Sequence, residues 1–227
     1  MICFAHRGAS GHAPENTLLS VRTALEMGAP WIEIDVFCVQ GQLVVIHDSR
    51  LERTTNGRGN LMQHSIANLR SLDAGKGEKI PFLHEVLELV QGRCSINIEL
   101  KGPGTAAPVA DLLKACIRDG NYMKEQLLAS SFDYPQLMEL KQLVPKLYIG
   151  ANIYGVPLDG AGFADAMGVY SIHAHCDFIS QMFVDDAHRR GIKVFVFTVN
   201  HAEELHRMAA LGVDGVFTNY PELLCST

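Results

Sequence analysis

The chain has 227 residues, 48% of them hydrophobic and 19% charged, with a formal net charge of -6, which fits one α/β domain with a well-filled core. The acidic balance argues against nucleic acid and against stable association with an anionic membrane as partners, leaving a small-molecule substrate, with the oligomeric state open. No apolar run nears the roughly 20 residues needed to span a bilayer, no leader-like segment precedes the first strand-like run, and the six cysteines lack C-x-x-C pairing, so a cytoplasmic chain with reduced thiols is expected.

Residues 2–5 read as a strand that ends at His6-Arg7-Gly8 and a loop rich in Gly and Pro. Asn16 or Thr17 then caps a helix whose apolar residues Leu18, Val21, Ala24 and Leu25 share one face, with Gly28 as its stop. The next strand carries Glu33 and Asp35 on one face and Ile32, Ile34 and Val36 on the other. Gln40-Gly41 suits a hairpin turn, so the following run, Leu43 to Ile46, returns His47 and Asp48 toward those carboxylates.

Residues 49–80 interrupt this rhythm with a polar, glycine-containing excursion, regular only near 65–72. A loop of that length in a compact domain is usually functional or a small subdomain. The alternation resumes with a helix over 84–90 and a strand over 95–101, where Asn97, Glu99 and Lys101 share a face. Further strands are expected over 127–130, 147–151, 169–173, 193–199 and 213–218, with helices over 106–118, 135–143, 180–190 and 202–211. The 43–46 run is then an extra hairpin arm, and eight strands remain. The expected fold is a (β/α)8 TIM barrel with a small insertion after the second strand, a single domain over 1–227, whose active site lies at the carboxyl ends of the strands.

Those ends carry the chemistry. Glu33, Asp35 and Glu99 supply three carboxylates that would raise one another's pKa values unless a cation lies among them. With no Cys or second His beside them, a hard divalent ion, Mg²⁺ or Ca²⁺, is the natural occupant. Arg7 and Lys101 offer charge for an anionic substrate, and His6 and His47 are proton carriers. The bland alternatives are a core imidazole at His6 and a simple Lys101–Glu99 pair. The coincidence of all these charges on strand ends, where unpaired burial is costly, favours function. His173 falls within reach of the same cavity, with a strand-end polar residue as its alternative. Trp31 is read as packing beside the site, and Met123, Met138, Met167, Met182 and Met208 as gap-fillers.

His6-Arg7-Gly8, Ala13-Pro14-Glu15-Asn16-Thr17, Glu33-Ile34-Asp35-Val36, His47-Asp48, Leu51 to Gly57, Leu72-Asp73-Ala74-Gly75 and Glu99-Leu100-Lys101 together resemble the glycerophosphodiester phosphodiesterases, and the likeness continues through Ser130-Ser131-Phe132, Thr198-Val199-Asn200 and 212–216. The chain is most similar to the short bacterial cytosolic type. The resemblance implies that Glu33, Asp35 and Glu99 ligate the ion, that His6 and His47 form the acid-base pair, and that Arg7 and Lys101 hold phosphoryl oxygens. Phe197 stands where the family often has a larger aromatic residue, which alters the wall over the glycerol, and Asn219 stands where Asp is frequent. Two other readings fit less well. A phospholipase D-type reaction on lysophospholipids would want an apolar rim that the polar stretch near 53–59 does not offer, and a silent metal-binding barrel would have lost one of the five site residues.

Overall fold

The computed structural model describes residues 1–225. Its strands are β1 (Ile2–Ala5), β2 (Trp31–Val39), β3 (Gln42–Val45), β4 (Ser95–Leu100), β5 (Leu127–Ser131), β6 (Tyr148–Ile153), β7 (Ser171–His175), β8 (Lys193–Phe197) and β9 (Gly215–Thr218). All but β3 are parallel neighbours, and β1 pairs with both β2 and β9, so the sheet closes as a TIM barrel. β3 is the antiparallel arm, in register from Val36 opposite Val45 to Val39 opposite Gln42. Gln40 and Gly41 both take positive φ at that turn, as a two-residue hairpin with right-handed twist demands.

The helices α1 (Leu18–Glu26), α2 (Ile66–Ser71), α3 (Leu83–Val90), α4 (Ala106–Arg118), α5 (Tyr134–Leu143), α6 (Gly162–Met167), α7 (Gln181–Arg189) and α8 (Ala202–Ala210) follow the strands or the insertion. α6 was not expected. It has six residues, no side-chain cap, and ends at Gly168 in the left-handed region, too little for a periodic signal. No helix among the described residues is long and apolar enough to cross a membrane.

Alternation sorts the strand residues into two environments. Ile32, Ile34, Val36, Ile96, Ile98 and Leu100 point outward into the helix layer and are buried there. Inside, Phe4, Leu128, Phe195 and Phe217 form a plug with Trp31 and Tyr148 at the amino-terminal end of the barrel. Each such side chain contributes about 1.5–3 kcal/mol by leaving water. Trp31 therefore does not flank the site. As the first residue of β2 it packs 5.2 Å from the Phe4 ring, in the plug beneath the carboxylates. Met123 and Met182 are 65% and 78% exposed, so neither fills a gap, whereas Met208 is buried.

The segment between β3 and α3 builds a separate small cluster in which Leu51, Leu61, Leu69 and Ile80 are fully covered against Val44 and Ile46. That anchor seats the insertion over the β1–α1 loop, where Glu78 accepts the Leu19 backbone N–H and Lys76 donates to the His12 carbonyl.

Candidate active site

Beyond the aromatic plug, the inward positions of the strands turn polar and surround a cavity of about 310 Å³ lined by His6, Arg7, Glu33, His47, Glu99, Lys101, His173 and Phe197, among others. Oxygens of Glu33, Asp35 and Glu99 come within 4.8 Å of one another. The register explains it: Asp35 on β2 lies opposite Glu99 on β4, and Glu33 opposite Asn97. All the site residues expected from sequence are thus brought to one end of the barrel. Asp35, 1% exposed, lies just behind the cavity wall and is held there by Arg7 Nε and Lys101 Nζ, each 3.2 Å away.

The charges do not balance pairwise. Burial would raise the Asp35 carboxyl, but Lys101 and Arg7 hold it at about 2. Burial, then Asp35 and Glu99, push the Glu33 carboxyl well above its ordinary range. Burial and Asp35 likewise push Glu99 up to about 7, against the pull of Lys101 bonded to it at 2.5 Å. Glu33 Oε2 accepts the Arg7 backbone N–H at 2.9 Å, while its Oε1 is buried with no partner. An orphaned, buried acceptor among acids that cannot all ionise is the environment that suits a hard divalent cation.

The two imidazoles are oriented differently. His6 Nδ1 lies 2.8 Å from Asn219 Oδ1, so its proton sits on Nδ1 and Nε2 carries the lone pair, 4.0 Å from Glu33 Oε2. Ser10 Oγ lies 2.9 Å from the same Asn219 oxygen. Burial, then Arg7, lower the His6 pKa to about 4, so the ring is neutral near pH 7. His47 Nδ1 instead lies 2.5 Å from the Asp48 carboxylate, a partner that stabilises the protonated ring. Burial lowers the His47 pKa as well, with Asp35 the first opposing influence.

Several participants were not anticipated. Asn16 does not cap α1; Thr17 does, by accepting the Ser20 N–H. Asn16 takes a left-handed backbone, with φ 58°, and clamps Asp35, donating to Oδ2 at 2.8 Å and accepting the Asp35 N–H at 3.1 Å. Asn219 orients His6. An aromatic arc runs along the opposite wall: Phe132 meets Phe197 at 6.1 Å, Phe197 meets His175 at 5.5 Å, and His175 meets Tyr154 at 4.4 Å, with Phe178 beside them. His175 was legible from the alternation after His173; Phe132 and Tyr154, just past strand ends, carried no periodic signal.

His173 lies at the cavity floor, 1% exposed, its ring 5.0 Å from Phe217 and 2.9 Å from Ser171 Oγ. Gly150 makes room for it, because a Cβ there would sit 2.4 Å from Nε2. Burial lowers the His173 pKa to about 3. The unfolded chain takes up that proton near pH 6.5, so the stability from keeping the ring neutral is complete above 6.5 and is lost as pH falls from 6.5 toward 3. Urea unfolding of wild type and His173→Phe across that range is expected to show wild type losing stability faster than the variant as pH falls. Parallel curves would refute the assignment.

Comparisons with known proteins agree on one family. The profile of the glycerophosphoryl diester phosphodiesterase family matches residues 6–223. A glycerophosphodiester phosphodiesterase of Caldanaerobacter subterraneus is 36% identical, over 98% of this chain and 96% of that protein. The solved structure of an Oleispira antarctica phosphodiesterase in complex with the product sn-glycerol-3-phosphate superposes with TM-score 0.90 at 33% identity, covering 98% of this chain and 94% of that one. A human lysophospholipase D is 27% identical over 97% of this chain and 83% of its own length.

Proposed function

The chain belongs to the glycerophosphoryl diester phosphodiesterase family, and we propose that it hydrolyses glycerophosphodiesters to glycerol 3-phosphate and an alcohol, with His6 and His47 as proton carriers. One observation carries this reading: an acidic triad, with an orphaned oxygen on Glu33 and with Asp35 just behind the wall, meets two differently partnered imidazoles at a single cavity. Glu33, Asp35 and Glu99 would hold Mg²⁺ or Ca²⁺, whose charge, when bound, offsets the negative charge building on the phosphoryl oxygens. Arg7 and Lys101 line the same cavity and would bind those oxygens. His6, neutral and with Nε2 free, takes the proton from water as the new O–P bond forms, or from the glycerol 2-hydroxyl, in which case water opens the resulting cyclic phosphate in a second step with the two imidazoles exchanging roles. His47, backed by Asp48, gives its proton to the departing alcohol as the old P–O bond breaks. Phe197 walls the glycerol moiety, and His173 bounds the floor beneath it.

Glycerol 3-phosphate release from a panel of glycerophosphodiesters, with and without a chelator, tests the reading. Release that stops on chelation and returns with one of the two ions is expected. No release from any member under any divalent ion would overturn it in favour of a silent barrel.

A second reading, the phospholipase D-type reaction on lysophospholipids, is favoured by the aromatic arc. Phe132, Tyr154 and Phe178 are 46%, 68% and 43% exposed at the cavity mouth, followed by exposed Val156 and Leu158 in the same loop as Tyr154. The apolar rim that the polar insertion does not provide thus stands on the opposite wall. If an acyl chain lies there, Tyr154→Ala strips an apolar wall from it and lowers kcat/KM for a lysophospholipid about tenfold or more, while leaving glycerophosphocholine unchanged. Equal effects on both substrates would reject this reading.

A further inference from the structure

One charged residue of the insertion reaches the site, and its contacts are unusually complete. Arg53 donates through Nε to Asp48 Oδ2 at 2.6 Å and through one terminal nitrogen to Asp48 Oδ1 at 3.1 Å. The same terminal nitrogen reaches Glu15 Oε1 at 2.8 Å, and the other reaches Glu15 Oε2 at 2.7 Å. Glu15 Oε1 also accepts from Arg7 at 2.7 Å, and Arg7 pairs with Asp35. At the other end Asp48 holds His47 Nδ1. A continuous chain of alternating charges therefore runs Asp35, Arg7, Glu15, Arg53, Asp48, His47.

We propose that Arg53, seated by the insertion and braced by Glu15, is a positioning residue that fixes Asp48 against His47 and so sets the direction in which His47 delivers its proton. The proposal rests on the reading of His47 given above. Asp48 alone is a short side chain at the rim, 26% exposed, free to turn to water. A planar guanidinium that grips both of its oxygens removes that freedom, which an ammonium on a flexible stem does less well. Burial of Leu51, two residues before Arg53, and the Thr55 bonds to the Leu51 carbonyl hold the backbone from which Arg53 reaches. As an exposed ion pair this network adds little stability. Its product is orientation, and a misplacement of about 1 Å costs up to about 10²-fold in rate.

The test is a double-mutant cycle on the full-length, ion-loaded enzyme with glycerophosphocholine. Arg53→Met is expected to lower kcat about 10- to 10²-fold, with KM and the ion concentration for half-maximal activity unchanged, and Arg53→Lys to recover part of the loss. Arg53→Met combined with Asp48→Asn is expected to be no slower than Asp48→Asn alone, because both break one linkage. A downfield proton resonance from His47 Nδ1–H, absent in His47→Asn, is expected to persist in Arg53→Lys and to broaden by exchange in Arg53→Met. Unchanged kcat in Arg53→Met, or losses that multiply in the double variant, would overturn the proposal. A normal rate in His47→Asn would instead overturn the reading on which it stands.

Discussion

Asp35→Asn is expected to abolish divalent-ion binding and to lower kcat/KM by about 10³-fold or more, the several kcal/mol of charge stabilisation that an ion supplies to phosphoryl transfer. Asp35 is the one member of the triad held ionised by the protein itself, through Lys101 and Arg7. Its neutral replacement takes one of two carboxylate partners from each cation in a largely water-excluded wall, leaving Arg7 with Glu15 and Lys101 with Glu99, at a cost of up to about 3 kcal/mol in folding stability. Glu33→Gln separates the two effects. The Gln oxygen still accepts the Arg7 backbone N–H that Glu33 accepts, so stability should be nearly kept while ion binding and activity are lost. Calorimetric titration with Mg²⁺ and Ca²⁺, beside urea unfolding, checks both variants. The ion needs ionised ligands, whereas Glu99 without it titrates near 7 and Glu33 higher than usual. Binding must therefore expel protons, and affinity should rise as pH passes upward through about 7. Ion uptake by Asp35→Asn and Glu33→Gln equal to wild type would remove the acidic triad as the ion's seat.

His47→Asn is expected to lower kcat by about 10²- to 10⁴-fold on glycerophosphocholine, the range for loss of a positioned proton donor, with ion binding intact. The leaving group discriminates the role. Choline departs as a poor alkoxide unless protonated, while p-nitrophenolate departs unaided, so the penalty on a p-nitrophenyl ester should largely vanish. His47 must be protonated to act, so wild type should lose activity as pH rises through the His47 pKa, and the variant should lack that limb. His6→Asn should be slow on both esters, because the attacking hydroxyl still needs its base. A His47 variant equally impaired on both esters would assign His47 to binding rather than to proton donation.

Much of this arrangement follows from spacing alone. A strand alternates by covalent geometry, so Glu33 and Asp35 on one face, and Asn97, Glu99 and Lys101 on another, had to point together once those runs became strands. Gln40-Gly41 is a local turn, and local turns are written in local sequence. The apolar faces of Ile32, Ile34, Ile96 and Ile98 fixed which side met the helices. The shape of the insertion was legible only as an interruption, since its cluster forms from apolar residues without a regular period.

The amino-acid sequence by itself thus determined the strand and helix order, the barrel class, and the acids, bases and cations that gather at the carboxyl ends of the strands. Tertiary structure alone decided which partner each of them has. Asn219 reaches His6 across 213 positions and Arg53 reaches Glu15 across 38, and these contacts exist because barrel closure brings the last strand beside the first and the insertion folds back over the β1–α1 loop. Asn16, one of two candidate caps beside Thr17, instead clamps Asp35, and Trp31 went to the plug, for the same reason. Periodicity records the face a side chain takes, and only closure records what stands opposite that face.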